Sequence, residues 1–361
     1  MKTPTPVRRF SIRITLALLA SLTVLGTAEL LLRAVAPQPL SGSWLEDSGH
    51  GYLVNRPGAV AAHANATRRV EYRINDLGFR GAPVRPARRR VLVLGDSATF
   101  GWLLQEDDTY VSRLGRAVNQ QSGPGDIEFM NAAVGGWGTA EYVAFLEDRG
   151  GSIPAFDAVL VFLSGDETRR SMASGLWRLT PDGALTRQPQ RAGGPAIRAI
   201  NALPGYRYLI ARSHLAALVR ATIVNRMSGP LSTPLDDVQS MNAETAAGIA
   251  LHTALLQRLQ DWCARRATLM VVATGFVNLH EHTADEQTPF AMNRQFTDRA
   301  PAFFASRGIS FLDLVPEVER AIDRSSAYRI PLDLHPSEEG ARLVADLSWP
   351  WLRDRLAARL P

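Results

Sequence analysis

Val91-Leu92-Val93-Leu94-Gly95-Asp96-Ser97-Ala98-Thr99-Phe100-Gly101 is a continuous apolar run that ends abruptly in a small, polar turn. Consecutive apolar residues with nothing polar between them suit a strand buried on both faces, as in a parallel sheet. Similar short runs recur at 127–131, 158–163, 269–273 and 309–312. Helical patterns follow at 110–119, 139–148, 243–266, 293–306 and 337–360. Strand–helix alternation with right-handed crossovers predicts a three-layer α/β/α sandwich around a five-stranded parallel sheet. Ser337 suits the N-cap of the last helix, with Glu338 and Glu339 favourably placed for its dipole.

Upstream of this core the chain changes character. Lys2, Arg8, Arg9 and Arg13 precede an apolar run over 14–28, which Glu29 interrupts before Leu30-Leu31-Leu32-Arg33. Counted over 14–33, the segment reaches the roughly 20 residues a spanning helix needs. Glu29 then lies within a turn of the outer interface, where its carboxylate snorkels. The basic flank predicts a cytoplasmic tail over 1–13, a transmembrane signal anchor over 14–33 and an extracytoplasmic remainder in the periplasm or beyond. Gly26-Thr27-Ala28 offers the alternative of a cleaved signal peptide; the apolar run that resumes beyond it favours the anchor. Residues 34–85 are rich in Pro, Gly, Ala and Asn and read as a loosely packed stem, with a short alternating strand at 70–74. The domain proper is expected over 86–361, interrupted by an insertion at about 169–237.

Composition excludes several classes. The 361 residues carry a net charge of +5, but Lys2 is the only lysine, and the arginines are scattered among nearly as many acids. Neither Arg8-Arg9 nor Arg88-Arg89-Arg90 has interleaved aromatics or a helical stripe, which speaks against nucleic-acid binding. Cys263, the single cysteine, excludes an internal disulfide and a cysteine metal cluster, and reads as a buried, inert thiol. His280-Glu281-His282, with Asp285 and Glu286, has no third histidine at ligand spacing, so a solvated loop is the better reading. Neither metal nor cofactor is expected.

In open α/β sheets ligands bind beyond the carboxyl ends of the strands. Ser97 follows the first strand, Asn131 to Thr139 with Gly136 follows the second, and Ser164-Gly165-Asp166-Glu167 follows the third. Asp333-Leu334-His335-Pro336-Ser337 precedes the last helix. A serine hydroxyl needs an imidazole to take its proton and a carboxylate to orient that imidazole. Gly-Asp-Ser alone reads more often as a turn or N-cap; its value comes from the other segments sharing its rim. No G-x-S-x-G elbow occurs, which excludes an ordinary α/β-hydrolase.

Together these segments resemble the SGNH/GDSL hydrolases, over roughly 90–361 apart from the insertion and in the family's order. The resemblance implies a flavodoxin-like fold and an acyl-enzyme on Ser97, with His335 as base and Asp333 orienting it. It places the oxyanion hole at Ser97, Gly136 and position 166. Leu312-Asp313-Leu314 is also typical. Asn75 to Gly81 is similar to the Asn-x-x-Gly-Phe-Arg segment of anchored bacterial members, which act on acylated cell-envelope and exported polysaccharides. The implied activity is an O-acetyl esterase-like hydrolysis of an acylated carbohydrate or small ester. The alternatives are an O-acyltransferase and a weakly catalytic glycan-binding member.

One position departs from the family's pattern. Gly165-Asp166-Glu167 stands where Gly-Asn-Asp is usual, and an ionised aspartate cannot donate to an oxyanion. Losing such a donor costs about 2.7–4 kcal/mol. Three accounts follow: Asp166 held protonated by burial, Ser97 and Gly136 amides sufficing alone, or a degenerate site.

Overall fold

The computed structural model describes residues 6–41, 44–122, 127–188, 200, 203–227, 238–276, 299–331, 333 and 335–359. The chain divides into two compact units. The larger comprises Trp44–Val60, Glu71–Ala196 and Pro234–Pro361; the smaller comprises Met1–Ser43, Ala61–Val70 and Ile197–Thr233.

The larger unit is built on β1 (Arg89–Leu94), β2 (Ile127–Asn131), β3 (Ala158–Leu163), β4 (Thr268–Ala273) and β5 (Ser310–Asp313). All pair in parallel, in the order β5-β4-β3-β1-β2. This is the flavodoxin-like doubly wound order, whose direction of winding reverses at β1/β3. The five apolar runs become these strands within a residue or two, and every residue of β3 is buried.

Side chains alternate between two cores. Leu92, Leu94, Val159, Val161 and Val271 face one layer, with Val143 and Phe145 of α4 (Thr139–Arg149) and Leu255, Leu256 and Leu259 of α8 (Val238–Cys263). Val91, Val93, Leu160, Phe162 and Val272 face the other, with Leu114 and Val118 of α3 (Tyr110–Ser122), Val318 of α9 (Val315–Arg324) and Val344 and Leu352 of α10 (Glu338–Arg359). Ser337 lies just before α10 and accepts from the Gly340 N–H. Residues 299–306 are helical; the first part of the helix expected at 293–306 lies outside the described residues. His252 of α8 is buried between the hydroxyls of Thr139 and Thr168, at 2.9 and 2.8 Å, and burial pulls its pKa down to about 3.

The expected loose stem is corrected by its packing. Trp44, Tyr72, Phe79 and Arg80 are buried in the larger unit. Leu45–Asp47 and Leu53–Asn55 form a hairpin, and the Leu53 carbonyl accepts from Trp137 Nε1 at 2.7 Å. Arg80 N–H donates to the Asn131 carbonyl at the end of β2. The segment lacks a sustained period because single large side chains, not a repeating face, carry its contacts. Residues 167–174 form helix α5 (Glu167–Ser174), and the hairpin Trp177–Leu179/Leu185–Arg187 packs through Trp177, whose Nε1 donates to the Ala140 carbonyl.

In the smaller unit, α1 (Pro6–Val35) contains an apolar stretch, Ile12–Val35, long enough to cross a membrane and unburied along its length. Leu40–Ser41 pairs antiparallel with Ala64 and His63, and α6 (Tyr206–Ile210) and α7 (His214–Met227) belong to the same unit.

Candidate active site

The site lies at the carboxyl ends of β1, β2 and β3, where the three loops singled out in the sequence converge. Ser97 opens the short helix α2 (Ser97–Phe100), with Asp96 as its N-cap accepting from the Ala98 N–H at 2.8 Å. The turn into this helix is too tight for a side chain at Gly95, where a Cβ would meet Thr99 Oγ1 at 1.9 Å. Ser97 is only 7% exposed.

Across 238 positions of sequence, His335 Nε2 lies 2.7 Å from Ser97 Oγ. His335 Nδ1 lies 2.5 Å from Asp333 Oδ1, which also accepts the His335 backbone N–H at 2.8 Å. The loop is shaped by Asp333 N–H to the Ile330 carbonyl and by Ile330 N–H to the His335 carbonyl. Burial pushes the Asp333 pKa up, but its hydrogen bonds and charge interaction with His335, and a hydrogen bond from Trp102, hold it below the ordinary value. The Nδ1–H tautomer satisfies both contacts: Nδ1 donates to the carboxylate and Nε2 accepts the serine proton. Trp102 stacks on the imidazole, centroids 5.3 Å apart and planes at 25°.

The glycine loop after β2 closes on the serine. A Cβ on Gly135 would stand 3.7 Å from Ser97 Cβ and 3.7 Å from the Trp102 ring. Gly136 has φ +88°, a conformation that favours glycine, with open space where a side chain would be.

Asp166 sits 4% exposed at the N-cap of α5, and the account of it as a protonated donor is corrected here. Its carboxylate accepts from Arg169 Nε at 2.8 Å, Arg169 Nη2 at 2.5 Å and Arg170 Nε at 3.0 Å. Burial works to raise its pKa, but the two guanidinium groups outweigh burial and hold it below the ordinary value. It is therefore an ionised acceptor, already occupied by arginine.

Sequence reasoning missed Arg170, Trp102 and Arg80. Arg170 Nη1 donates to Asp96 Oδ2 at 2.9 Å and to the Trp137 carbonyl at 3.2 Å. Burial lowers its pKa and the Asp96, Asp166 and Glu167 charges raise it further, so it stays protonated. Glu167 accepts from the Ser164 and Gly165 N–H groups, and Ser164 Oγ donates to Asp96 Oδ2 at 2.7 Å. Arg80, 5% exposed, lies over the rings of Tyr72 and Phe100 at 4.2 and 4.8 Å and donates to the Leu104 carbonyl at 2.9 Å. The available signal was Arg80 within the Asn75-to-Gly81 segment and Arg169-Arg170 directly after an acidic pair.

Among the described residues no group of three His, Cys, Asp or Glu side chains is arranged to hold a metal. The His280–His282 segment lies outside them. Cys263 is buried, and burial pushes its thiol up to about 12.

The GDSL-like Lipase/Acylhydrolase family model matches residues 93–343. Among solved structures, a lipolytic protein of the G-D-S-L family from Veillonella parvula is 12% identical, with 72% of this chain and 96% of that chain covered at a TM-score of 0.40. A catalytic mutant of Axe2, an acetylxylan esterase from Geobacillus stearothermophilus, is 12% identical, covering 73% and 93% at 0.40. TesA is 13% identical, covering 74% and 99% at 0.40. Comparison with curated proteins finds no match. Matched over well over half of its length, the chain belongs to the GDSL-like lipase/acylhydrolase family and is a GDSL-type esterase.

Proposed function

We propose that this esterase removes small acyl groups, acetyl above all, from carbohydrate outside the cytoplasm, held at the membrane by α1. The observation that carries the mechanism is the continuous contact from Ser97 Oγ through His335 to Asp333. His335 takes the Ser97 proton as Oγ attacks the acyl carbonyl, and Asp333 orients the imidazole and stabilises its charged form. The Ser97 and Gly136 N–H groups hold the oxyanion. His335 then protonates the leaving sugar oxygen, and water, activated in turn by His335, releases the acid.

Asp166, ionised and bound by arginine, is no donor to the oxyanion, so the hole has two amides rather than three. That arrangement supports slower turnover than a full hole gives. A fluorophosphonate probe should label the wild type at Ser97 and leave Ser97→Ala unlabelled, and acetate should be released from acetylated xylo-oligosaccharide by the wild type alone. Equal labelling of both proteins removes Ser97 as nucleophile. Labelling without acetate release, but with acetyl appearing on an added glycan, assigns the transferase reaction instead.

A further inference from the structure

Glu29 stands in the apolar stretch of α1, where an isolated carboxylate is costly. It is clamped by the first turn of α7. Oε2 accepts from the Ser213 hydroxyl at 2.8 Å and the Leu215 N–H at 2.9 Å, and Oε1 from the His214 N–H at 2.9 Å. Arg33 Nε donates to Oε1 at 2.8 Å. Open N–H groups, the positive end of a helix dipole and a guanidinium compensate the charge without water.

From that clamp α7 runs back along α1, so that Leu215, Val219 and Ile223 line one groove with Leu22 and Leu25. The groove has a volume of about 900 Å³ and is flanked by Leu203 and Leu209. Its apolar walls stand open: Leu203 is 58% exposed and Val219 49%. A continuous exposed apolar surface of this kind marks an interaction site. The apolar part of α7, His214–Ile223, is about 15 Å long at 1.5 Å per residue, half the thickness of a hydrocarbon core. Among the described residues the groove is lined by Arg33, Arg212 and Arg220 against the one acid Glu29. Arg212 also lies over the Tyr208 ring at 4.1 Å. Apolar walls bordered by arginine and tyrosine are the composition of a membrane interface on an anionic lipid.

We infer that α6 and α7 form a second membrane-seated element, and that the groove between α1 and α7 takes the acyl chains of an anionic phospholipid whose phosphate faces the three arginines. The inference rests on the reading of α1 as an anchor. Glu29 is the pin that folds α7 back into the outer leaflet.

The test uses the full chain with a fluorescent NBD group on a single introduced cysteine, Leu22→Cys, Val219→Cys or Asp182→Cys; the native Cys263 is buried. Each protein is reconstituted into phosphatidylcholine/phosphatidylglycerol vesicles. The expected result is that probes at 22 and 219 are quenched by doxyl groups on the acyl chains and shielded from iodide, while the probe at 182 behaves oppositely. Doxyl-phosphatidylglycerol should quench the 219 probe at least about twofold more than doxyl-phosphatidylcholine at equal mole fraction. Iodide quenching at 219 with lipid quenching retained at 22 overturns the inference and leaves the anchor standing. Shielding of 219 from both quenchers overturns it in favour of a second copy on that face. Equal quenching by the two lipids overturns the anionic headgroup, and iodide quenching at 22 removes the anchor and the inference together.

Discussion

Arg170 holds Asp96, the residue before Ser97, with Nη1 2.9 Å from the carboxylate Oδ2. The same nitrogen reaches the carbonyl of Trp137, next to Gly136, and Nε reaches Asp166. One guanidinium thus ties together the loops that follow β1, β2 and β3, and so holds in register the serine and the Gly136 amide proposed above as its oxyanion donor. Arg170→Lys keeps the charge but loses the planar fork, so kcat should fall about tenfold with KM within about twofold. Arg170→Ala leaves the buried Asp96 without its cation, Asp166 keeping Arg169, and should cost about 3–5 kcal/mol of stability. Wild-type kcat in Arg170→Lys would show that the loops keep their spacing without the fork.

Asp166→Asn tests the two-amide oxyanion hole. The substitution removes a charge that two arginines hold, so unfolding should become easier by about 1–3 kcal/mol. Turnover should rise by about a hundredfold, because the asparagine amide can donate where the ionised aspartate cannot. Turnover within about threefold of wild type would instead mean that the Ser97 and Gly136 amides suffice without a third donor.

The sheet was legible because its strands are buried on both faces: continuous apolar runs such as 158–163 leave little room for another reading. The contact of Ser97, His335 and Asp333 was legible because a serine hydroxyl in such a turn needs an imidazole and a carboxylate beside it. Asp166 was legible only as an anomaly, since nothing in Gly-Asp-Glu says which cations the fold brings to it. Helix α9 was missed although Pro316 in its first turn and the spacing of Val315, Val318 and Ile322 signal a helix. The buttress at Trp44, Tyr72 and Arg80 was not legible, because isolated aromatic and arginine residues carry no period. Their partners, Phe100 and the Leu104 carbonyl, are set by tertiary structure.

Trp102→Phe separates two roles of one side chain. The ring remains over His335, while the hydrogen bond to Asp333 is lost. A single such bond is worth about 1 kcal/mol, so kcat/KM should fall roughly three- to tenfold. Because Trp102 helps to hold the Asp333 pKa down, the Asp333 carboxyl of the variant should protonate at higher pH, read by NMR titration of that carboxyl. A loss of rate with an unmoved Asp333 titration would assign Trp102 to packing alone.

Arg80→Met probes the buttress behind the nucleophile loop. Methionine fills much of the space between Tyr72 and Phe100 but leaves the Leu104 carbonyl without its donor and removes both cation–π contacts. The combined cost is about 2–4 kcal/mol, read as a lowered urea midpoint. An unchanged midpoint would mean that the segment from Tyr72 to Arg80 packs without contributing stability.

Glu141 gives the stability of the fold a pH dependence of definite sign. Its carboxylate is buried at the start of α4, where it accepts the Gly138 N–H at 2.8 Å, and burial raises its pKa to about 7 against the pull of those backbone bonds and of Arg170. Unfolded, the group ionises near 4.5. Between those two values the native state binds more protons than the unfolded state, so this contribution to stability falls as pH rises from about 4.5 to about 7. At 1.36 kcal/mol per pH unit the gap amounts to about 3 kcal/mol. Glu141→Gln keeps an acceptor for Gly138 and has no proton to lose. The stability difference between wild type and Glu141→Gln should therefore move by about 3 kcal/mol in favour of the variant between pH 5 and pH 8, since every other titrating group cancels in the comparison. Urea unfolding of both proteins at the two pH values reads this directly, and a difference that does not change with pH would mean that Glu141 stays ionised in the fold.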